Sequence, residues 1–344
     1  MKSFGVALAL MALGATAGVI SGCSRKGGAG ASLPAATAEG TVEVINTARF
    51  SPPKAGAAVG QAYDPAIVRL QVLLDRARFS PGVIDGRFNE NTHRALNAYE
   101  SANGLKADGI LDREVWDRLT KADQRGAMRT YVIDPSDVAG PFTPHIPQSF
   151  QGMSRLESLG FRSPAESLSE TFHMDPQLFG ALNPKVAFHA GQALVVADRG
   201  ADDLGVDVAL VEVDHAAAQV RAFGADHRLL AVYPATVGSQ KSPPPVGVTE
   251  VASVEPQPTY LFEKDQVAFG RGLEFAPSEI APGPNNPVGA VWIETKANGY
   301  GIHGTPEPQT IGRAESSGCI RMANWDVVRL SRMMKPGFTA IFQA

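Results

Sequence analysis

Cysteine is almost missing from this chain: 344 residues contain two, Cys23 and Cys319. There is accordingly no C-x-x-C pair, and the seven histidines are scattered without an H-x-x-x-H spacing, which excludes the usual zinc ligand sets and points to no metal and no cofactor. Positive charge is also sparse. The formal net charge is −4 and no Lys/Arg cluster tracks the phosphates of a polymer, so a nucleic-acid partner is excluded. Long apolar runs are lacking too. The longest, Phe4–Ile20, is short for a membrane span and ends in small residues. What is present, 44% hydrophobic and 19% charged residues, suffices for buried cores in two or three domains.

Lys2 ahead of the apolar run reads as an export signal. Ile20-Ser21-Gly22-Cys23 resembles a bacterial lipobox, which makes residues 1–22 a lipoprotein signal peptide and Cys23 the lipidated first residue of the mature chain. Ordinary cleavage after Ala15-Thr16-Ala17 is the alternative. If Cys23 is lipidated it cannot pair with Cys319, and a lone thiol in an oxidising envelope compartment is itself a sign of reactivity. Residues 23–60 are rich in Gly, Ala, Pro, Ser and Thr and read as a disordered tether. Fully extended it reaches on the order of 120 Å, and as a relaxed coil roughly 35 Å. That places an anchored protein at the cell envelope, on the periplasmic face, at the outer membrane where the source has one.

Cys319 lies in Ser316-Ser317-Gly318-Cys319-Ile320-Arg321-Met322, downstream of Ile302-His303-Gly304-Thr305-Pro306. The separation, 319 minus 303, is 16 residues, so the chain must return through a turn to bring thiol and imidazole together. Glycines 304, 312 and 318 permit it. A thiol is mostly protonated at neutral pH and only the thiolate attacks a carbonyl. An adjacent imidazole removes that proton and, once charged, protonates a leaving amine. Backbone N–H groups at Ser317, Gly318 and Cys319 are suited to stabilising the oxyanion. Taken singly, a buried cysteine and a histidine beside Ile and Gly are more often packing residues.

The joint pattern resembles the L,D-transpeptidase catalytic domain of the YkuD type, with its I-H-G-T segment followed by S-x-G-C-I-R-M. Ser242-Pro243-Pro244-Pro245-Val246-Gly247 and Pro284-Asn285-Asn286-Pro287-Val288-Gly289 resemble two upstream stretches of the same family, and Trp292 and Tyr300 fall where it carries aromatics, so residues 204–344 are covered. Where many members have His or Lys before the motif glycine, this chain has Ser317. The resemblance implies Cys319 as nucleophile, His303 as base, and the Gly304 carbonyl as orienter of the imidazole. It implies Ser316 as a hydrogen-bonding group of the loop. Arg321 either holds a substrate carboxylate or braces the loop. The implied partners are peptidoglycan stem peptides and glycan. The implied reaction is a thioester formed with a tetrapeptide stem, loss of D-alanine, and transfer to an amine to give a 3→3 crosslink. Water as acceptor, making a carboxypeptidase or endopeptidase, transfer to a wall protein or D-amino acid, and an inert wall tether are the alternatives. Oligomeric state is not legible.

Patterning completes a multidomain reading. Asp85-Gly86 and Asp108-Gly109 each precede a helix cap, Asn89 and Asp112, and a helix bearing Ile67, Leu70 and Leu74 comes before them. Residues 61–122 thus read as a small all-α domain of three helices, resembling the type 1 peptidoglycan-binding domain, with Tyr99 and Trp116 in its core. Residues 129–199 read as an α+β module with helices over Pro164–His173 and Pro176–Asn183. It resembles a degenerate LysM carbohydrate-binding module, in which His173 and His189 are surface or packing residues. The catalytic segment reads as mainly β, with strands over Val206–Val213, Gln219–Gly224, Arg228–Val237, Val291–Thr295 and Phe338–Phe342. A C-terminal helix capped by Asn324 carries Val327, Leu330, Ser331 and Met334 on one face.

Overall fold

The computed structural model describes residues 38–52, 63–200, 202, 205, 207–239, 245–262, 278–297, 300–313 and 318–343. The expected signal segment, Cys23 and most of the expected tether lie outside them. The part of the tether that is described departs from expectation: Ala38–Asn46 forms helix α1. Ile45 is fully buried, the Asn46 side chain exchanges two hydrogen bonds with the Met128 backbone (2.8 and 2.9 Å), and Phe50 packs on Trp116. The composition of this stretch is loop-like, but Val42, Ile45 and Phe50 supply enough apolar surface to dock once a neighbouring module offers a face.

Helices α2 (Pro65–Arg76), α3 (Glu90–Ala102) and α4 (Arg113–Ala122) follow. Asp64, Asn89 and Asp112 cap them, each side chain accepting a backbone N–H of the first turn. Gly86 and Gly109 adopt positive φ in the turns before α3 and α4. Helix α2 is buried almost all round, which no lone three-helix unit achieves. Ile67, Leu70 and Leu74 face α3 and α4, while Val68 and Val72 enter the core of the next module.

That module runs from β1 (Met128–Val132) through α5 (Pro135–Ala139), α6 (Phe150–Met153), α7 (Pro164–Thr171) and α8 (Pro176–Leu182) to β2 (Ala193–Ala197). Strands β1 and β2 pair antiparallel over five residues from Met128↔Ala197 to Val132↔Ala193. Asp-Pro and Ser-Pro starts cap α5, α7 and α8, with proline in the first turn where a missing N–H costs nothing.

The remaining strands are β3 (Leu210–Asp214), β4 (Gln219–Phe223), β5 (Leu229–Pro234), β6 (Thr236–Val237), β7 (Gly247–Pro256), β8 (Tyr260–Phe262), β9 (Ser278–Ile280), β10 (Val291–Thr295), β11 (Gly301–His303), β12 (Ile320–Arg321) and β13 (Thr339–Gln343), with α9 (Asn324–Ser331) before β13. Among the described residues, nine of them form one sheet in the order β5-β4-β3-β13-β7-β10-β11-β12-β6. Its two end strands, β5 and β6, are separated in sequence by Ala235 alone, so the sheet must curl until its edges approach. A row of inward side chains, Ile293, Ile302, Ile320 and Val237, lies in register across β10, β11, β12 and β6. All four are buried, each contributing roughly 1.5–3 kcal/mol.

Two expectations about the C-terminal helix are corrected. Asn324 is its first residue, not its cap; Ala323 occupies the cap position without a side-chain bond. The helix ends at Ser331, so Met334 is buried from the segment beyond it.

The modules are fused into one packed body. The Arg78–Ser80 segment pairs with edge strand β5 (Ser80 N to Val232 O 2.9 Å, Val232 N to Arg78 O 2.8 Å), covering an edge that would otherwise invite aggregation. Ile84 pairs with the backbone of His173 and Asp175. Among the described residues no helix is long and apolar enough to cross a membrane.

Candidate active site

Because the inward row consists of Ile293, Ile302 and Ile320, the pleat turns their neighbours outward. Trp292 on β10, Gly301 and His303 on β11, and Cys319 and Arg321 at β12 therefore share one face of the sheet. Strands β11 and β12 are parallel, with Ile302 opposite Ile320 and His303 opposite Arg321. That register sets Cys319 beside Gly301, one diagonal step from His303, a spacing of roughly 8 Å between Cα atoms. The 16-residue gap is closed by a long excursion between two adjacent strands, through the 3-10 turn Pro308–Thr310.

The imidazole is nearly enclosed, at 4% exposure, and stacks on Trp292 with ring centroids 5.5 Å apart at 26°. Trp292 and His303 are directly opposite in the β10–β11 pair, so the stacking follows from the register. Gly301 is obligatory beneath that indole: a Cβ there would come within 2.5 Å of the ring. His303 Nδ1 lies 2.7 Å from the Gly304 carbonyl oxygen. A carbonyl only accepts, so Nδ1 carries the hydrogen and donates it, leaving the Nε2 lone pair to serve as a base. Burial, assisted by the Arg321 charge, lowers the imidazole pKa to about 4, with the Gly304 bond opposing. The ring is therefore neutral at pH 7.

Cys319 is outside any disulfide and half-buried. Burial pushes its thiol up, against a hydrogen bond from the Gly301 backbone and the attraction of Arg321, both of which favour the thiolate. The resting pair is a neutral thiol and a neutral imidazole. Gly318 holds positive φ just before Cys319.

Residues 209–342 match the model of the YkuD family, the L,D-transpeptidase catalytic domain, and residues 63–119 match that of a peptidoglycan binding domain. The chain carries both domains. YkuD of Bacillus licheniformis, assigned as an L,D-transpeptidase, is 39% identical over 89 residues, 22% of this chain and 54% of that protein. Its Bacillus subtilis counterpart is 48% identical over 54 residues, 16% of this chain and 33% of that one. The chain thus spans about half or less of the curated relatives it matches. A solved catalytic domain of an E. faecium L,D-transpeptidase acylated by ertapenem aligns at 21% identity and a TM-score of 0.32, covering 40% of this chain and 98% of that one. That likeness bears on nothing in the chemistry.

Of the other residues expected at the site of the YkuD domain, Ser316 and Ser317 lie outside the described residues. Tyr300 is half-buried, and its carbonyl oxygen closes the β10–β11 turn by accepting from Thr295 Oγ1 at 2.8 Å. Arg321 is half-buried on the face it shares with the thiol.

Two residues at the site escaped the sequence reading. Tyr260, on β8, has its hydroxyl pKa raised by burial and, to a smaller degree, by Cys319, with Arg321 opposing. It belongs to no motif. Asn324, read as a cap, instead accepts from Ala290 N at 3.0 Å and donates to Pro284 O at 3.0 Å. Its Oδ1 sits where a Cβ on Gly289 or Gly304 would be, 2.3 Å from either. The upstream motif, Pro284–Gly289, is thereby bound to the backbone that carries the imidazole.

Proposed function

We propose that this chain is a peptidoglycan L,D-transpeptidase acting through a Cys319 thioester, with His303 as the base. The observation carrying the proposal is the outward face shared by Cys319 and His303 on adjacent parallel strands, with Nδ1 committed to Gly304 and Nε2 available. His303 takes the thiol proton as Sγ bonds to the carbonyl carbon that follows the diamino acid of a tetrapeptide stem. Gly318 and Ser317 N–H groups are assigned to the oxyanion. The imidazolium then protonates the nitrogen of terminal D-alanine, the C–N bond breaks, and the thioester remains. An amine of a second stem attacks it, gives its proton to His303, and releases Cys319. Arg321, on the same face, is suited to a substrate carboxylate.

The accessory segments fit the same reading. The peptidoglycan binding domain supplies wall affinity. The antiparallel β1–β2 pair enclosing α7 and α8 supports a LysM-like module, enlarged by the short helices α5 and α6 and acting at least in part as scaffold. Ile20-Ser21-Gly22-Cys23 supports lipidation at Cys23 and placement at the periplasmic face of the envelope. Incubating tetrapeptide muropeptides with the full chain and with Cys319→Ala, followed by mass spectrometry, tests the reaction. A crosslinked dimer from the unmodified chain only is expected; tripeptide alone assigns water as acceptor, and equal activity in the variant removes Cys319 from the mechanism.

A further inference from the structure

We infer that Glu170, on helix α7 of the accessory module, is a positioning residue for His303: acting through Asn324, it holds the Gly289–Ala290 and Gly304 backbone against which the imidazole is oriented. The inference rests on the transpeptidase reading of His303 and Cys319.

Asn324 uses its side chain completely. Oδ1 accepts from Ala290 N and fills the gap between Gly289 and Gly304, while Nδ2 donates to Pro284 O at 3.0 Å and to Glu170 Oε2 at 3.2 Å. Without an acceptor on the α7 side, the amide is held in the plane by one bond fewer, and its oxygen is what lies against Gly304. The carbonyl of Gly304 in turn decides the tautomer of His303. A displacement of a few tenths of an ångström at this oxygen is passed directly to the catalytic base.

The remainder of the same segment clamps the loop from the other side. Leu159 N donates to Pro282 O and Leu159 O accepts from Asn285 N, both at 2.9 Å. Arg162 donates to Asn285 Oδ1 at 2.8 Å, and Asn285 Nδ2 donates to Gly160 O at 2.9 Å. Gly283, at φ +145°, has no room for a side chain: a Cβ would sit 2.1 Å from Leu159 O. Residues 159–170 therefore form one wall of the loop that ends at Gly289. Burial raises the Glu170 carboxyl to about 8, so at neutral pH it is largely protonated and retains a carbonyl oxygen as acceptor. A glutamine offers the same oxygen.

The test is the rate at which the carbapenem ertapenem acylates Cys319 in the full chain, read by mass spectrometry and expressed per folded molecule after urea unfolding of each variant. Glu170→Leu, which fills the space without an acceptor, is expected to slow acylation about ten-fold, a change of about 1.4 kcal/mol. Glu170→Gln is expected to recover most of that rate, which a purely steric role for the side chain does not predict. Asn324→Ala is expected to be slow, and adding Glu170→Leu to it is expected to cost nothing more, because the two act in series. Acylation of folded Glu170→Leu at the unmodified rate, a Glu170→Gln as slow as Glu170→Leu, or additive losses in the double variant would each overturn the inference while leaving Cys319 acylated. An unmodified chain that ertapenem fails to label overturns the underlying reading instead, and this inference with it.

Discussion

Two histidines in this molecule have nearly the same burial and stacking and different hydrogen-bond partners. His303 and His173 are both buried, at 4% and 1% exposure, and both stack on a tryptophan, at 5.5 Å and 5.1 Å. Both have pKa values lowered to about 4 by burial. The difference lies in what Nδ1 meets. For His303 it is a backbone carbonyl, which fixes the tautomer with the hydrogen on Nδ1. For His173 it is the Asp75 carboxylate at 3.3 Å, itself held by Arg329 at 2.9 Å. Asp75 belongs to α2, His173 follows α7 and Arg329 is on α9, so this cluster joins three modules. Desolvation alone does not separate the two histidines; the partner at Nδ1 and the thiol on the sheet face of His303 do.

The comparison can be broken most severely at His303. Replacing it with alanine is expected to lower the ertapenem acylation rate of Cys319 by about 10²–10⁴, the usual contribution of a general base, with the folded chain intact by circular dichroism. The same substitution at His173 leaves the rate per folded molecule unchanged. If the two variants acylate alike, the assignment of the base is wrong. Asp75→Ala comes next, because it strands the Arg329 guanidinium in the interior. A stability loss of about 3–5 kcal/mol in urea is expected, without change in acylation of the molecules that remain folded. A loss below about 1 kcal/mol would show that the cluster does not join the modules.

A pH series sharpens the contrast. A base titrating at about 4 stays neutral through the physiological range, so the acylation rate should show no fall attributable to His303 until pH drops through about 4. Stability behaves otherwise. Above about pH 6.5 both histidines are neutral folded or unfolded, and their contribution is complete; it is lost as pH falls toward 4. Asp326 and Glu170, raised to about 8, act in the opposite sense: folded they keep a proton that the unfolded chain releases near pH 4. From pH 6.5 to 8 the stability should therefore decline, by at most about 1.4 kcal/mol per pH unit for each group. Urea midpoints across that range measure it, and Glu170→Gln should remove part of the slope. A flat profile would exclude both carboxyl assignments. The smallest effect expected is that of His173→Phe, which keeps the stack on Trp325 but loses the bond to Asp75, for about 1 kcal/mol.

Much of the site was legible because its chemistry is written in short contiguous segments. The I-H-G-T and S-x-G-C-I-R-M runs name the thiol, the imidazole and the glycines, whereas the sheet face they share follows from the β11–β12 register, which neither run announces. Strand β7, ten residues long and central in the sheet, has no sequence signal because its apolar residues follow no clean alternation and only Val251 is buried; backbone pairing with β10 and β13 on either side makes it a strand. Helix α1 was read as tether for a similar reason. A loop-like composition is overridden when an asparagine side chain finds an open strand edge, and nothing local announces that edge.

The amino-acid sequence by itself determined the two motif runs that carry His303 and Cys319, the Asp-Gly turns and the helix caps of the accessory domain, since each depends on residues within a few positions of one another. Tertiary structure alone decided which buried histidine faces a thiol and which a carboxylate, drew Asn324 from a cap into the wall of the site, and brought Glu170 to it from 154 residues away. Those outcomes depend on desolvation and on hydrogen bonds between distant segments. Such bonds form only after the modules pack, and a linear pattern carries no record of them.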